Sequence, residues 1–246
     1  MEKIKSLEGR TVAIVGLGAS WFDYNLAKSH DQHFDEVWAI NSVASVIFHD
    51  RVFMMDPPSR FLDSDDAGSQ TNSIKKFLID HDKPIYTCTE DERCTKNLQQ
   101  YPIKEIVRDL NCHYLNNTVA YAIAFALWNK VGRLKLFGID FSYKENLHFA
   151  EAGRGCVEFW LCKCSEAGMQ IEVAASSALL DTSVPLEEKL YGYHRLKDPL
   201  VPVMLENQTL SVDKQSSVNK KYMQKTTGTL IGRHDEHLKV GEPKKW

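Results

Sequence analysis

The sequence predicts an α/β protein: a Rossmann-like, mostly parallel sheet with helices on both faces and an irregular C-terminal extension. Two observations support this. Short apolar segments rich in β-branched residues alternate with amphipathic or Ala-rich segments, and the links between them are short. Several of these apolar segments lack a polar face, as expected for strands that are buried on both sides. The 246 residues, 43% of them hydrophobic and 26% charged, suit one large domain or a domain with an appendage.

The elements follow in order along the chain. The predicted strands are residues 11–18, 36–43, 51–58, 84–89, 133–140 and 169–176. The predicted helical or amphipathic segments are residues 23–30, 73–81, 101–111, 116–132 and 156–168. Residues 59–73 are rich in Ser, Asp and Gly, and they predict a mobile loop.

The periodic pattern ends near Pro185. We therefore expect a Rossmann-like, ligand-binding α/β domain over residues 1–184 and a C-terminal extension with a basic tail over residues 185–246. From Asn207 onward there are eight Lys or Arg and four Asp or Glu, so the tail carries +4 while the whole chain carries −3. Such a tail could follow nucleic-acid phosphates. A solvated tail, or one exchanged between subunits of a homo-oligomer, explains the same composition.

Bulk features narrow the setting. No apolar run approaches the roughly 20 residues that cross a bilayer, and the first residues lack the apolar core of a secretory signal. The six cysteines form no C-x-x-C pair, which predicts free thiols in a reducing compartment. We therefore expect a cytoplasmic protein that is not bound to a membrane.

Polar residues or glycines follow the predicted strands at the points where they end. They are Gly16, Gly18 and Ser20 at the end of the first strand and just beyond it, Asn41 towards the end of the second, Asp56 towards the end of the third, and Asp140 at the end of the strand at 133–140. The Ala-rich helix opens with Asn116, Asn117 and Thr118, of which at least one should serve as the N-cap. Because the carboxyl ends of parallel strands share one edge of the sheet, these residues predict a ligand cleft there.

Two further residues are candidates by type. His148 is predicted to lie in a loop, where it could act as a base or could simply be solvated. Arg154 precedes the predicted helix at 156–168 and could face a phosphate. No Walker loop, HExxH or Ser-His-Asp order occurs, and we expect no obligatory metal.

The segments "VAIVGLGAS", "FDEVWAINSV", "FMMDPP" and "NNTVAYAIAFALWNKVGRLKLFGIDFSY" resemble the bacterial sialyltransferases of glycosyltransferase family 42. They also resemble the wider DUF115 and motility-accessory-factor proteins, including phage-encoded members. The likeness spans roughly residues 11 to 180, and its most specific part is the helix followed by "LFGIDFSY". The compact length fits the phage relatives.

The resemblance implies roles position by position. Gly16, Gly18 and Ser20 would lie along the donor phosphates or sugar, and Asn41 would meet the nucleotide. Asn117 and Thr118 would contact the donor, and Asp140 would orient the site. His148 stands ten residues before Glu158, which is the spacing of the general base in that family. In that family two tyrosines hold the donor phosphate, and Tyr143 is the counterpart of only one of them. Arg154 could replace the missing phenol as a phosphate ligand, so the donor should differ from CMP-sialic acid.

The expected function is transfer of a sugar from a nucleotide-sugar donor to a hydroxyl acceptor, which in a phage member could be a hydroxymethylated pyrimidine in DNA. Two alternatives remain open. The DUF115 group also resembles archaeal pterin diphosphokinases, which would need ATP and Mg²⁺ held by Asp56 and Asp140. A non-catalytic protein that binds and sequesters a nucleotide is the other.

Overall fold

The computed structural model describes residues 1–65, 68–142, 147–190, 198, 200–205 and 207–221. The chain divides into two compact units, Met1–Val184 and Pro185–Trp246, and each is described separately. The first unit contains the sheet and its helices. It is an α/β unit of the Rossmann-like kind that the alternation of segments predicts.

A seven-stranded sheet forms the centre of the first unit, with the strand order β5-β4-β3-β2-β1-β6-β7. All six neighbouring pairs are parallel. The strands are β1 (Thr11–Val15), β2 (Glu36–Ile40), β3 (Arg51–Phe53), β4 (Ile85–Thr87), β5 (Leu98–Gln100), β6 (Arg133–Phe137) and β7 (Gln170–Val173). Chain order runs outward from β1 in one direction to β5 and then returns to β1 to add β6 and β7, so the direction of winding reverses between β1 and β6.

Six α-helices accompany the sheet among the described residues of the first unit. They are α1 (Phe22–Ser29), α2 (Ser59–Leu62), α3 (Thr71–Ile79), α4 (Ile103–Leu110), α5 (Thr118–Trp128) and α6 (Leu147–Glu166). Residues of α1 and α3 join one hydrophobic cluster, and residues of α4, α5 and α6 join another. The two clusters lie on opposite faces of the sheet.

The central strand β1 shows why its sequence is apolar throughout. Val12 and Ile14 belong to the cluster with α5, whereas Ala13 and Val15 belong to the cluster with α1. Side chains alternate between the faces of a strand, so a strand covered on both sides needs apolar residues at every position. The α5 side is the more aromatic: Phe125 packs against the rings of residues 38, 53 and 86.

The predicted elements of the first unit differ from the structure in three places. Residues 59–73 are not one loop, because α2, a 3₁₀ turn at Gly68–Gln70 and the start of α3 lie there. Phe61 is buried at 3% exposure and anchors α2, a tertiary contact that has no signal in local composition. The last long helix begins at Leu147 rather than near 156. The short edge strand β5 was not predicted.

The second unit is less irregular than its sequence suggests. It contains α7 (Leu186–Lys189) and an antiparallel hairpin of β8 (Leu200–Met204) with β9 (Leu210–Lys214). Residues 215–221 are helical. The basic tail was predicted from Asn207 onward, and its part from 222 to 246 lies outside the described residues.

Two expectations about the setting can be compared with the structure. All six cysteines are free thiols, as the absence of C-x-x-C pairs predicts. None of the helices in the described part of the chain combines the length and hydropathy that a bilayer crossing requires.

Candidate functional site

A cleft of about 820 Å³ lies in the first unit, at the carboxyl ends of β1, β2, β3 and β6. This is the position where the winding of the sheet reverses, and open α/β sheets bind ligands at such points. We call it the strand-end cleft. It is lined by Gly16, Leu17, Gly18, Ala19, Ile40, Asn41, Ser42, Met55, Asp56, Arg60, Gln70, Leu115, Asn116, Asn117, Thr118, Val119, Tyr121, Gly138, Ile139, Asp140, Phe141, Ser142 and Phe149.

The floor of the cleft is a close crossing of two backbone turns. The N–H of Gly18 donates to the carbonyl of Gly138 at 2.8 Å. A Cβ on Gly138 would stand 2.1 Å from the carbonyl oxygen of Gly16, and Gly138 also has a φ of +65°. A Cβ on Gly18 would stand 2.4 Å from Oδ2 of Asp140. Larger residues at these positions would separate the turns, so the glycines serve close packing as well as access.

Ser20 and Asp140 fasten the same two turns together. The Ser20 N–H donates to Oδ2 of Asp140 at 2.8 Å, and its hydroxyl donates to Oδ1 at 2.5 Å. The hydroxyl in turn accepts the N–H of Gly138 at 2.9 Å. Ser20 is 1% exposed and does not line the cleft, contrary to its predicted place beside the donor. Its role in the structure is to orient Asp140 and close the turn.

Asn41 follows β2 with its backbone in the left-handed region, at a φ of +52°. Asparagine tolerates this conformation better than most residues. Its side chain lines the cleft, and Oδ1 is buried without a hydrogen-bond partner among the described residues. A buried carbonyl oxygen without a donor is uncommon in folded proteins. A ligand N–H or O–H would satisfy it. Next to it, the hydroxyl of Ser42 donates to Gln70 at 2.5 Å.

The N-terminus of α5 forms another wall. Asn117 is the N-cap, and its Oδ1 accepts the N–H of Ala120 at 3.0 Å. Its amide nitrogen donates to Oδ1 of Asn116 and to the carbonyl of Gly153 in α6. Both predicted asparagines thus hold helix ends in place while lining the cleft. The amides of Thr118 and Val119, in the first turn, have no acceptor within the helix and are available to an anion.

Arg60 is a lining residue that sequence reasoning missed. It lies in α2, within the stretch predicted to be a loop, and its Nη1 donates to Oδ1 of Asp56 at 2.6 Å. The signal was present in "MMDPPSR", because Asp56 and Arg60 are four residues apart and Pro58 stands before a helical turn. Arg60 is the one cationic side chain that lines the described part of the cleft.

His148 and Arg154 lie differently from their predicted positions. Both belong to α6, not to a loop before it. His148 is exposed in the first turn, beside Phe149, which lines the cleft. Arg154 donates to Glu158 and to Asp181, both at 2.8 Å, so its guanidinium is engaged outside the cleft lining. Arg154 is therefore absent from the described lining of the cleft, and its predicted contact with a donor phosphate stays a prediction.

Tyr143, the other predicted phosphate ligand, falls outside the described residues. Tyr121 of α5 does line the cleft. Burial raises the pKa of the Tyr121 phenol, and the neighbouring thiols of Cys88 and Cys156 raise it further. The phenol therefore stays protonated at neutral pH and can donate a hydrogen bond to a ligand.

The acids of the cleft are both engaged by protein groups. Asp140 accepts from Ser20, and Asp56 accepts from Arg60. In the described part of the chain, no group of three or more His, Cys, Asp or Glu side chains is arranged to hold a metal ion.

Comparisons with known proteins give a limited result. No protein-family model matches the chain, and no curated protein matches it. The sialyltransferase CstII from Campylobacter jejuni, solved with the substrate analogue CMP-3FNeuAc, matches with a TM-score of 0.46 and 16% identity, over 69% of this chain and 82% of that one. An apo α-2,3-sialyltransferase from the same organism matches with a TM-score of 0.40 and 16% identity, over 75% of this chain and 84% of that one. A likeness of this strength identifies neither a substrate nor a reaction.

Proposed function

We propose that the protein is a nucleotide-sugar-dependent glycosyltransferase that moves a sugar to a hydroxyl acceptor. The observation that carries this proposal is the strand-end cleft. Its volume of about 820 Å³ is within the range of small-molecule sites and leaves room for a nucleotide together with a sugar. It lies at the reversal of strand order, where α/β proteins bind nucleotides.

The walls of the cleft supply complementary groups for such a donor. The amides of Thr118 and Val119 at the start of α5 would hold a phosphate, because the helix N-terminus carries a partial positive charge. The glycine turns at Gly16 and Gly18 let a ligand approach the backbone closely. Oδ1 of Asn41 would accept a hydrogen bond from the base or the ribose.

Asn41 also favours a nucleotide sugar over NAD. Dinucleotide-binding sheets usually place an acid near the end of the second strand, where it accepts both ribose hydroxyls. Here the residue is a neutral amide in the left-handed conformation. Asn41→Gly keeps the tolerance for positive φ and removes the buried acceptor, so it tests the amide without straining the backbone.

The chemistry of transfer needs one base. The acceptor oxygen attacks the anomeric carbon and forms the new glycosidic bond while the bond from that carbon to the donor phosphate oxygen breaks. The acceptor proton passes to a ring nitrogen of His148, and the nucleotide leaves as an anion held by the α5 amides. His148 is proposed as that base on the resemblance and on its position in α6 next to Phe149, which lines the cleft.

Ligand-dependent thermal stability tests the proposal. The panel contains UDP-, CMP- and GDP-sugars, NAD, ADP-ribose, and ATP with and without Mg²⁺. A nucleotide sugar at about 100 times its dissociation constant should add roughly 2.7 kcal/mol to the free energy of unfolding. Asn41→Gly should weaken that nucleotide sugar about tenfold, since the ligand donor loses its acceptor in the cleft. Stabilisation by ATP only with Mg²⁺, or by NAD alone, would contradict the proposal.

Turnover separates transfer from sequestration. Products are followed by mass spectrometry with simple hydroxyl acceptors and with DNA that contains hydroxymethylated pyrimidines, the acceptor predicted from the phage resemblance. His148→Ala should lower the rate on the order of 100-fold or more while leaving the dissociation constant of the donor unchanged. A protein that binds the donor and never forms a glycoside is a binding protein, and the proposal then fails.

A further inference from the structure

We infer that Arg60 is the residue that reads an anionic group of the nucleotide donor, and that Asp56 competes with that group for the guanidinium. This inference rests on the proposed function, because it needs a nucleotide ligand in the strand-end cleft. It goes beyond that function by assigning charge recognition to Arg60 of α2 and to Asp56 just before that helix, and by predicting opposite effects for the two residues.

The charges around the cleft motivate the inference. In the described part of its lining, Asp56 and Asp140 are acidic and Arg60 is basic. The two carboxylates oppose a phosphate, and the Arg60 guanidinium is the side chain of the described lining that can offset them beside the backbone amides of α5. Asp140 is fixed by two hydrogen bonds from Ser20, so its charge is already partly compensated. The charge that a ligand can alter is therefore that of the Asp56–Arg60 pair.

The geometry of the pair permits exchange. Nη1 of Arg60 is 2.6 Å from Oδ1 of Asp56, and the two side chains are 41% and 34% exposed. Ion pairs with this exposure contribute little to stability, so another anion can replace the carboxylate without a large cost. Arginine is suited to the exchange because its planar fork binds phosphate and carboxylate with two parallel hydrogen bonds.

The helix that carries Arg60 is held in place independently. Phe61, the next residue, is 3% exposed, and the Arg60 guanidinium lies 5.9 Å from the centre of its ring. Asp63, just after α2, accepts from Arg93. Arg60 can thus change partner while α2 stays in position.

The experiment measures dissociation constants by calorimetry for the wild type, three variants of the pair and two control variants. The probes are uridine, cytidine, UMP, CMP, UDP-glucose and UDP-glucuronate. Arg60→Ala should weaken the nucleotide ligands about tenfold or more, since a charge-assisted bond is lost. Asp56→Asn should strengthen them about threefold or more, since it removes both the competitor and a repulsive charge. Arg60→Lys should fall between the wild type and Arg60→Ala for the same ligands.

Matched controls separate local from general charge effects. Arg10→Ala makes the same change of net charge in an exposed pair with Asp35, just before β1 and hence at the opposite edge of the sheet. Asp82→Asn makes the same change as Asp56→Asn, at an 82% exposed side chain before β4. Both controls should leave every dissociation constant within about twofold, because screening removes distant interactions.

The probes also locate the anion. A loss in Arg60→Ala for UMP or CMP but not for the nucleosides assigns the phosphate to Arg60. A loss confined to UDP-glucuronate, with UMP and UDP-glucose unaffected, assigns a sugar carboxylate instead. Both results support the inference. It is overturned if Arg60→Ala binds all probes as the wild type does, or if Asp56→Asn weakens them. If the wild type binds no probe, the proposed function fails and the inference fails with it.

Discussion

The bonds between Ser20 and Asp140 give the sharpest test of how the cleft is held together. In Ser20→Ala the hydroxyl that donates to Oδ1 of Asp140 and accepts from the N–H of Gly138 is lost. The second link, from the Ser20 N–H to Oδ2 of Asp140, remains. Ser20 and Asp140 are 1% and 7% exposed, so water cannot replace the missing partner fully.

The size of the effect follows from the groups left behind. A buried N–H without an acceptor costs about 1–3 kcal/mol, and loss of a hydrogen bond to a charged group costs about 1.5–3 kcal/mol. Asp140 keeps one hydrogen bond and some solvent contact. We therefore expect the loss of unfolding free energy to lie in the lower half of the range that these two costs give together, at about 3 kcal/mol. In a domain of this length that lowers the melting temperature by roughly 6–12 °C.

Urea denaturation followed by tryptophan fluorescence measures the change, because Trp38 and Trp160 are fully buried. Ser176→Ala is the matched control. Its hydroxyl also donates to a carboxylate, Asp23, but the pair is exposed and the change should stay within about 0.5 kcal/mol. If Ser20→Ala were no less stable than Ser176→Ala, the Ser20–Asp140 bonds would not be what holds the two turns.

Three further predictions test other parts of the first unit. Gly153→Ala should lower the free energy of unfolding by about 1–3 kcal/mol, because the new Cβ would stand 2.6 Å from the Phe141 ring. Gly155→Ala in the same helix meets open space and should raise it by about 0.5–1 kcal/mol. Equal urea midpoints for the two variants would contradict this prediction. Glu36→Gln should cost about 2 kcal/mol, because the half-buried Arg51 fork and the Trp38 N–H lose a carboxylate, while Glu8→Gln at an exposed pair should cost under about 0.5 kcal/mol. Burial lowers the pKa of His81 below its ordinary 6.5, and the nearby His49 lowers it further. The unfolded chain therefore binds this proton more tightly than the folded chain does, and the free energy of unfolding should fall as the pH drops below about 6.5. His81→Gln should flatten this slope in urea titrations at about pH 7.5, 6.5 and 5.5, and an unchanged slope would assign it to other groups.

Local patterns were sufficient for the main elements of the fold. The parallel sheet was predictable because β1, β2 and β6 are short apolar runs that are buried on both faces, and α5 because Asn117 caps an Ala-rich segment. The strand-end positions of Gly16, Asn41 and Asp140 follow from the same alternation. They could be placed at one edge of the sheet before any contact was known.

The misplaced residues depend on contacts distant in sequence. Ser20 meets Asp140 across 120 positions, so its structural use was not visible in "GLGAS". Arg154 has a local partner in Glu158, but Asp181 completes the pairing from 27 positions away. The early start of α6 was hidden because Gly153 and Gly155 interrupt the helical pattern. Arg60 was hidden because α2 has one turn and is held by Phe61 rather than by propensity.

Several residues that line the strand-end cleft have backbones in the left-handed region, although other residues with positive φ, such as Lys130 and Leu180, lie elsewhere. Asn41, Gly138 and Phe141 have φ values of +52°, +65° and +48°, and all three line the cleft. For a bulky residue such as Phe141 the left-handed region costs on the order of 1–3 kcal/mol, which the rest of the fold must offset. Gly153 makes room for its ring, as the 2.6 Å approach of a Cβ there shows.

Strain held by so many neighbouring contacts implies walls that exist before a ligand arrives. The turns after β1 and β6 are joined by backbone and side-chain hydrogen bonds, and α5 is tied to α6 through the amide of Asn117. A preformed site loses little entropy on binding, so affinity there depends on complementary charge more than on ordering. Among the described lining residues, Asp56 and Arg60 form the charged pair that can exchange partners, and we infer that this pair sets which anions are accepted. If loosening the walls through Gly153→Ala changed donor affinity more than Arg60→Ala did, this ranking of charge over preorganisation would be reversed.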